Sequence, residues 1–270
     1  MPEGHTLHRL ASTVRRTLAG QAVRSSSPQG RFAETAALLD GHILTSAQAW
    51  GKHLLVGFDG IDGQVHVHLG LYGTFRFETV VDDVPAPVGQ VRWRVVGGEM
   101  VGDLRGPNTC ELMLPEEVDA LLARLGPAPL RRGADPERAW RRISRSRTSI
   151  ASLLMDQTVV AGVGNVYRAE LLFRHGVHPY LPGRDLPHEV WLAMWDDLRA
   201  LMRRGVRTGR IETLRRADEP GRRSQERRSY VYRRAGEGCR VCGTPVAADV
   251  LGGRNLFWCP RCQDTDTLIE

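Results

Sequence analysis

The sequence predicts an α+β protein of two domains: an N-terminal β-sandwich led by a helix, then a helical domain that ends in a metal-binding hairpin. Three observations point there. Short β-rich segments fill residues 23–114, helical periodicity replaces them beyond a proline- and glycine-rich stretch, and four cysteines stand in two C-x2-C pairs near the C-terminus. At 270 residues the chain is long enough for each domain to bury a core of its own.

The segment from Thr6 to Ala19 reads as a helix. Leu7, Leu10, Ala11, Val14 and Leu18 fall on one face, and Gly20 is a stop. Thr6 is the expected cap, which sets Pro2 and Glu3 just ahead of the positive end of the helix dipole, where a phosphate or carboxylate is favoured. Val65–Leu69, Thr74–Phe77 and Val91–Val96 have strand character and are separated by glycine, proline and aspartate, as in an antiparallel sandwich. His66 and His68 share one strand face; no third ligand is evident, so a structural or surface role is expected over a metal site.

Leu125-Gly126-Pro127-Ala128-Pro129-Leu130 marks a boundary. The expected organisation is an N-terminal sandwich over 1–125, a linker over 126–130, a helical domain over 131–230 and a four-cysteine segment over 231–270. Helices are expected at Pro136–Arg145, Ser149–Asp156, Asn165–Arg174 and His188–Arg204. Between the second and third lies Gln157-Thr158-Val159-Val160-Ala161-Gly162-Val163-Gly164-Asn165. Its Gly-x-Gly is not a dinucleotide fingerprint, because a helix precedes it and the third glycine is missing. A helix–turn–helix whose glycines bring backbone N–H groups close to phosphate fits better, with Asn165 as the cap of the second helix.

Charge suggests the partner. The net charge is +6 and the isoelectric point about 9.4, which suits a polyanion. Mean hydropathy is −0.30, no apolar run approaches the roughly 20 residues needed to span a bilayer, and no signal-peptide h-region opens the chain, so a cytoplasmic protein without a membrane partner is expected. The ten arginines between Arg207 and Arg234 suit either a solvated loop or a cover over bound nucleic acid. Every basic residue except Lys52 is arginine. Chance retention is one account of that lysine; the other is a site that needs a compact ammonium or an amine able to lose its proton.

Cys239-x2-Cys242-x16-Cys259-x2-Cys262 has the spacing of a four-thiolate structural zinc site, and disulfides are disfavoured in a cytosolic chain. Four protein ligands leave the ion no open position for chemistry. Arg254 falls at or near the tip of the hairpin between the two pairs. Cys110, the odd cysteine, is expected to be a buried apolar filler.

Met1-Pro2-Glu3-Gly4, taken alone, is a common polar start. Trimming of the initiator methionine, common before a small residue, would give Pro2 a free secondary amine. Such an amine titrates near 8, well below lysine, and attacks sugar aldehydes to form an iminium, an electron sink. Glu3 beside it is suited to moving protons.

Pro2-Glu3-Gly4, Gly51-Lys52-His53-Leu54-Leu55, Asp156-Gln157 with Ala161-Gly162-Val163-Gly164-Asn165-Val166-Tyr167, Val231-Tyr232-Arg233-Arg234-Ala235-Gly236 and the zinc hairpin occur here in one order. In that order they resemble the formamidopyrimidine-DNA glycosylase and endonuclease VIII family, from Pro2 to Gln263. Leu71-Tyr72-Gly73 is similar to the void-filling loop of the endonuclease VIII branch, in an arginine-rich, actinobacterial-like form. The resemblance implies a bifunctional base-excision repair enzyme, with a helix–two-turn–helix domain and DNA in the cleft between two domains. Pro2 would attack C1′ and expel the base, Glu3 would be general acid and base, and Lys52 would contact a phosphate or assist proton transfer. Asn165 and Arg254 would grip phosphates flanking the flipped nucleotide, and Leu71 and Tyr72 would fill the hole it leaves.

The family resemblance also implies one structural Zn2+, no catalytic cofactor, and a monomer acting on double-stranded DNA with oxidised bases or abasic sites at the bacterial nucleoid. Oxidised pyrimidines are the expected substrates, followed by elimination at both sides of the sugar. Two departures bear on recognition. Thr6 stands where the family often has a second glutamate, and residues 103–108 lack an Arg-x-Phe pair, leaving Arg105 as a partial substitute toward the opposite base. Two rival readings are a lyase confined to abasic sites, which also uses Pro2, and a non-catalytic damage-sensing zinc protein, which has no use for Pro2, Glu3 or Lys52.

Overall fold

The computed structural model describes residues 2–215 and 228–264. The chain divides between Arg124 and Leu125 into two compact units. In the first, helix α1 (Gly4–Leu18) buries Leu7, Ala11, Val14 and Leu18. It begins two residues earlier than the sequence suggests. Glu3, with extended backbone, is the N-cap, and its carbonyl accepts from Thr6 N–H at 2.8 Å, so Thr6 lies inside the first turn and does not cap it.

Strand β1 (Arg24–Ser26), helix α2 (Ala33–Leu39) and strands β2 (Leu44–Trp50), β3 (His53–Phe58), β4 (Gln64–His68), β5 (Thr74–Thr79), β6 (Val91–Gly97), β7 (Met100–Arg105) and β8 (Thr109–Met113) follow, then α3 (Pro115–Arg124). They form two four-stranded antiparallel sheets, β1-β6-β7-β5 and β2-β3-β4-β8. One apolar core lies between the sheets and under α1. The alternation of Leu54, Val56, Val65, Val67 and Cys110 inward sets the second sheet's register. Trp93 anchors the first sheet. Its ring meets Phe32, Phe58 and Phe75 at 5.7, 6.4 and 5.7 Å, and its Nε1 donates to Ser25 Oγ at 3.0 Å.

In the second unit α4 (Pro136–Ile143) is capped by Asp135 and α5 (Ile150–Met155) by Ser149. Next come α6 (Asn165–Arg174) and α7 (His188–Thr208), which outlasts its expected end and stops at left-handed Gly209 (φ 74°). Strands β9 (Ala247–Leu251) and β10 (Arg254–Trp258) form the terminal hairpin. Residues 125–129, part of the stretch read as a linker, are buried in this unit: Gly126 N–H donates to Gln157 O at 2.9 Å and Ala161 N–H to Pro127 O at 3.1 Å. No helix among the described residues is long and apolar enough to cross a membrane.

A Cβ on Gly126 would lie 2.4 Å from the Val159 carbonyl oxygen, inside backbone that cannot yield cheaply. Gly126→Ala is therefore expected to destabilise the second unit by about 2 kcal/mol. Calorimetry should show its melting transition lowered by roughly 4–8 °C.

Candidate functional site

The N-terminus and the Lys52 turn are brought to one end of the first unit by matched lengths. At the C-terminal end of α1, Gly20 N–H donates to Leu44 O at 2.9 Å, and Arg15 Nη1 donates to Ala47 O at 2.7 Å. The helix thus runs antiparallel to β2. A 15-residue helix and a seven-residue strand are both about 21–24 Å long. The N-terminus of α1 accordingly reaches the opposite end of β2, where Gly51-Lys52 makes the two-residue turn into β3. Gly51 takes φ 56°, which a hairpin turn of this length requires of its first residue. Pro2 and Lys52 are half-buried there, and Glu3 is fully buried.

Beside Lys52, His53, His66 and His68 occupy the face of the sheet opposite the core. His53 Nδ1 lies 2.8 Å from His66 Nε2, His66 Nδ1 lies 3.2 Å from Glu111 Oε1, and the His53 and His68 rings are 5.1 Å apart. Burial, reinforced by His66, His68 and Lys52, lowers His53 to about 3. His68 is lowered by burial and by the neighbouring His66 and Lys52, and burial brings His5 down to about 4. These histidines do not gather as metal ligands: among the described residues, the four cysteines are the sole group of three or more such side chains. Burial pushes the Cys110 thiol up to about 12, which suits an inert core filler.

Leu71 and Tyr72 project from the turn between β4 and β5, 48% and 88% exposed. The turn is tight. Gly73 N–H donates to Leu69 O at 2.9 Å, and a Cβ on Gly73 would lie 2.2 Å from that oxygen. Arg105 ends β7 directly opposite Thr74, next to this turn. Its guanidinium is held: Nη2 donates to Asp103 Oδ2 at 2.8 Å and Nε to Val88 O at 2.9 Å. Arg94 grips the same Asp103 through Nε and Nη2 at 2.7 and 2.8 Å.

In the second unit, α5 and α6 are joined by two successive turns. Asp156 Oδ1 accepts from Thr158 N–H and Oγ1, while the Gln157 amide donates to Met155 O and Val163 O and accepts from Gly162 N–H at 2.9 Å. Asn165 is the first residue of α6, and Gly164 is the N-cap, with no side-chain cap bond. The expected cap role for Asn165 is thus replaced by another. Its Nδ2 donates to Asn255 O in β10 at 2.8 Å, and its Oδ1 accepts from Arg168 Nη2. Arg168 Nη2 reaches the same Asn255 carbonyl at 3.0 Å. Arg254, exposed, follows the Gly252-Gly253 turn at the start of β10.

The four sulfurs converge within 4.8 Å, with Cys239 to Cys262 at 3.8 Å and Cys242 to Cys259 at 3.5 Å. Tetrahedral metal–sulfur bonds of about 2.3 Å place sulfurs roughly 3.8 Å apart, whereas a disulfide is far shorter. Val241 and Cys262 N–H groups point at Cys239 and Cys259 Sγ, both at 3.5 Å, as knuckle turns do. This is a preformed metal site.

Sequence reasoning missed Glu170. It is fully buried, and its carboxylate accepts from Tyr230, Val231 and Tyr232 N–H groups at 2.6, 2.9 and 2.8 Å and from Thr213 Oγ1. The signal was a lone acid inside residues 167–173, a helical stretch whose one other charged side chain is Arg168. Of the arginine-rich segment, residues 216–227 lie outside the described residues.

Residues 1–106 match the formamidopyrimidine-DNA glycosylase N-terminal domain, 125–216 the formamidopyrimidine-DNA glycosylase H2TH domain, and 236–265 the zinc finger found in FPG and IleRS. The chain is 54% identical to "Endonuclease 8 1" of Mycobacterium tuberculosis over 97% of its own length and 100% of that protein's. It is 34% identical to the formamidopyrimidine-DNA glycosylase of Methylococcus capsulatus, covering 83% of each chain. Among solved structures it resembles the MutM (Fpg) protein of Thermus thermophilus, with a TM-score of 0.78, 29% identity and coverage of 97% and 98%. The Lactococcus lactis Fpg bound to DNA with an abasic site shares the fold at 21% identity, with a TM-score of 0.77 and coverage of 97% and 100%.

His5 and His53 are neutral in the folded chain and take up protons on unfolding once the pH falls below about 6.5. Their contribution is present above that pH and is lost as pH falls toward 4 and 3, by up to about 1.4 kcal/mol per pH unit for each ring. The melting temperature is expected to fall from pH 7 to pH 5, and less steeply in His53→Gln. An equal fall in both proteins would remove His53 from this account.

Proposed function

The chain belongs to the formamidopyrimidine-DNA glycosylase and endonuclease VIII family, and on that premise we propose that it is a bifunctional DNA glycosylase and abasic-site lyase that removes oxidised bases, pyrimidines by preference, through the amine of Pro2. The observation that carries this reading is the N-terminal end of α1. Pro2 leads directly into the buried Glu3, and the Lys52 turn lies at the same end of the unit.

Removal of Met1 exposes a secondary amine that titrates near 8 and is therefore partly unprotonated at neutral pH. Its lone pair forms a bond to C1′ as the glycosidic bond breaks, and the base departs with a proton. The sugar ring opens to an iminium. That cation acidifies the C2′ proton, whose loss expels the 3′ phosphate; a second elimination expels the 5′ phosphate, leaving a one-nucleotide gap with phosphate ends. Glu3 serves as the acid and base around the sugar, and the Lys52 ammonium steadies a phosphate or relays a proton.

Asn165 and Arg254 would hold the backbone beside the extruded nucleotide. Arg168 and the Asn165 amide fix β10 to α6, so the two candidates belong to one assembly. The exposed Leu71-Tyr72 turn suits the gap left in the stack, and with the likeness to "Endonuclease 8 1" it supports the pyrimidine preference. Arg105, tied to Asp103 beside that turn, is the side chain assigned to the opposite base. One Zn2+ on the four thiolates has a closed coordination shell, so it supports the hairpin and supplies no chemistry, and no catalytic cofactor is assigned. The protein is read as a cytoplasmic monomer that works on damaged duplex DNA at the nucleoid.

The test is borohydride trapping on a duplex with one thymine glycol, using protein whose N-terminus has been checked by mass. A covalent adduct at Pro2 is expected, absent when Met1 is retained. An adduct only with a preformed abasic site would instead establish a lyase without base excision. Faster release of 8-oxoguanine than of thymine glycol would reverse the substrate preference.

Metal content is expected to be one zinc per chain, released by Cys259→Ser. The hairpin should loosen with it, and DNA binding should weaken about tenfold or more. Retained binding after complete zinc loss would separate the hairpin from DNA recognition.

A further inference from the structure

We propose that Arg233 is a further contact to the DNA backbone, held out toward a phosphodiester by a left-handed turn that the rest of the domain enforces. Arg233 has φ 57°, and among the described residues no other non-glycine residue has a positive φ. The turn is closed by Arg234 N–H donating to Val231 O at 3.1 Å, which puts Arg233 at the third turn position, where glycine or asparagine is favoured. An L-residue with a long side chain adopts that conformation only when its surroundings over-determine it, and such positions cluster at functional sites.

The surroundings do over-determine it. On one side Glu170 accepts from the N–H groups of Tyr230, Val231 and Tyr232. On the other, Arg234 is wholly committed to the turn: Nη1 donates to Tyr230 O, Nη2 to Gly238 O at 2.8 Å, and Nε pairs with Glu237 at 3.0 Å. Two consecutive arginines therefore have opposite fates. Arg234 builds the turn and is half-buried, whereas Arg233 is exposed and has no carboxylate partner among the described residues.

The guanidinium of Arg233 lies 5.6 Å from the Tyr232 ring, and that ring packs edge-on against Phe257 of β10 at 5.6 Å. This places the cation beside the hairpin that also carries Arg254. A guanidinium that is stacked on a ring and lacks a carboxylate is suited to a phosphate by charge and by its bidentate fork. The contact would set position and add affinity without reading sequence.

This inference rests on the proposed reading that the protein binds DNA, and the experiment separates the two. Binding of the full protein to a duplex with a tetrahydrofuran abasic analogue, and to the undamaged duplex, is measured from about 50 to 200 mM salt. Arg233→Gly suits the left-handed backbone, so its melting temperature is expected not to fall. It should weaken binding to both duplexes, about tenfold at the lower salt, and reduce the slope of log K against log salt by about 0.9, the share of one phosphate. Arg233→Lys keeps the charge on the same backbone and should keep the slope. An unchanged slope in Arg233→Gly, or an equal loss in both variants, would overturn the assignment while leaving the functional reading intact. Failure of the unaltered protein to bind either duplex would overturn the functional reading and this inference with it.

Discussion

The second unit depends on one carboxylate placed where a charge is most expensive. Glu170 sits on α6 with no exposure, and the donors around it are three successive backbone N–H groups and the Thr213 hydroxyl. An isolated carboxylate in such a place would be intolerable; four donors replace its water and make it an acceptor that nothing apolar can mimic. The same bonds satisfy N–H groups that a bend at 230–232 leaves without a strand partner. One side chain thus joins the helical domain to the segment that leads into the first cysteine pair.

The first unit is built on a geometric match instead. Helix α1 and strand β2 run antiparallel over nearly equal lengths, pinned at one end by Gly20 and Leu44 and midway by Arg15 and Ala47. Apolar burial along Leu7, Ala11, Val14 and Leu18 keeps the helix seated. The chain's start is thereby delivered to the hairpin turn at Gly51-Lys52, and two short motifs that stood far apart in sequence come to share one end of a sheet.

Local signals carried much of this. Period-two alternation in 65–69 and 91–96 located strands, and cysteine spacing located the metal site, because both depend on neighbours in the chain. Helix starts were less legible. Thr6 and Asn165 have the chemistry of caps, yet the caps are Glu3 and Gly164, since tertiary partners claimed other geometry: the Asn165 amide is drawn to Asn255, 90 residues away. The partners of Arg168 and Glu170 and the Arg94–Asp103–Arg105 cluster were invisible for the same reason. A charged residue announces itself in sequence, but its partner does not. The 126–130 stretch adds a related case: proline and glycine composition suggested a linker, and what composition could not show is that backbone hydrogen bonds and close packing at Gly126 fasten it to the turns after α5.

The Asn255 carbonyl, shared by Asn165 and Arg168, has a mechanical consequence. Cys259 lies four residues further along the chain from Asn255, so a single short strand is anchored by the sulfur cluster at one end and by the start of α6 at the other. Tension or slack at either anchor is transmitted along a span of about 13 Å. The hairpin therefore couples the sulfur cluster to the first turn of α6, and order at one anchor depends on order at the other.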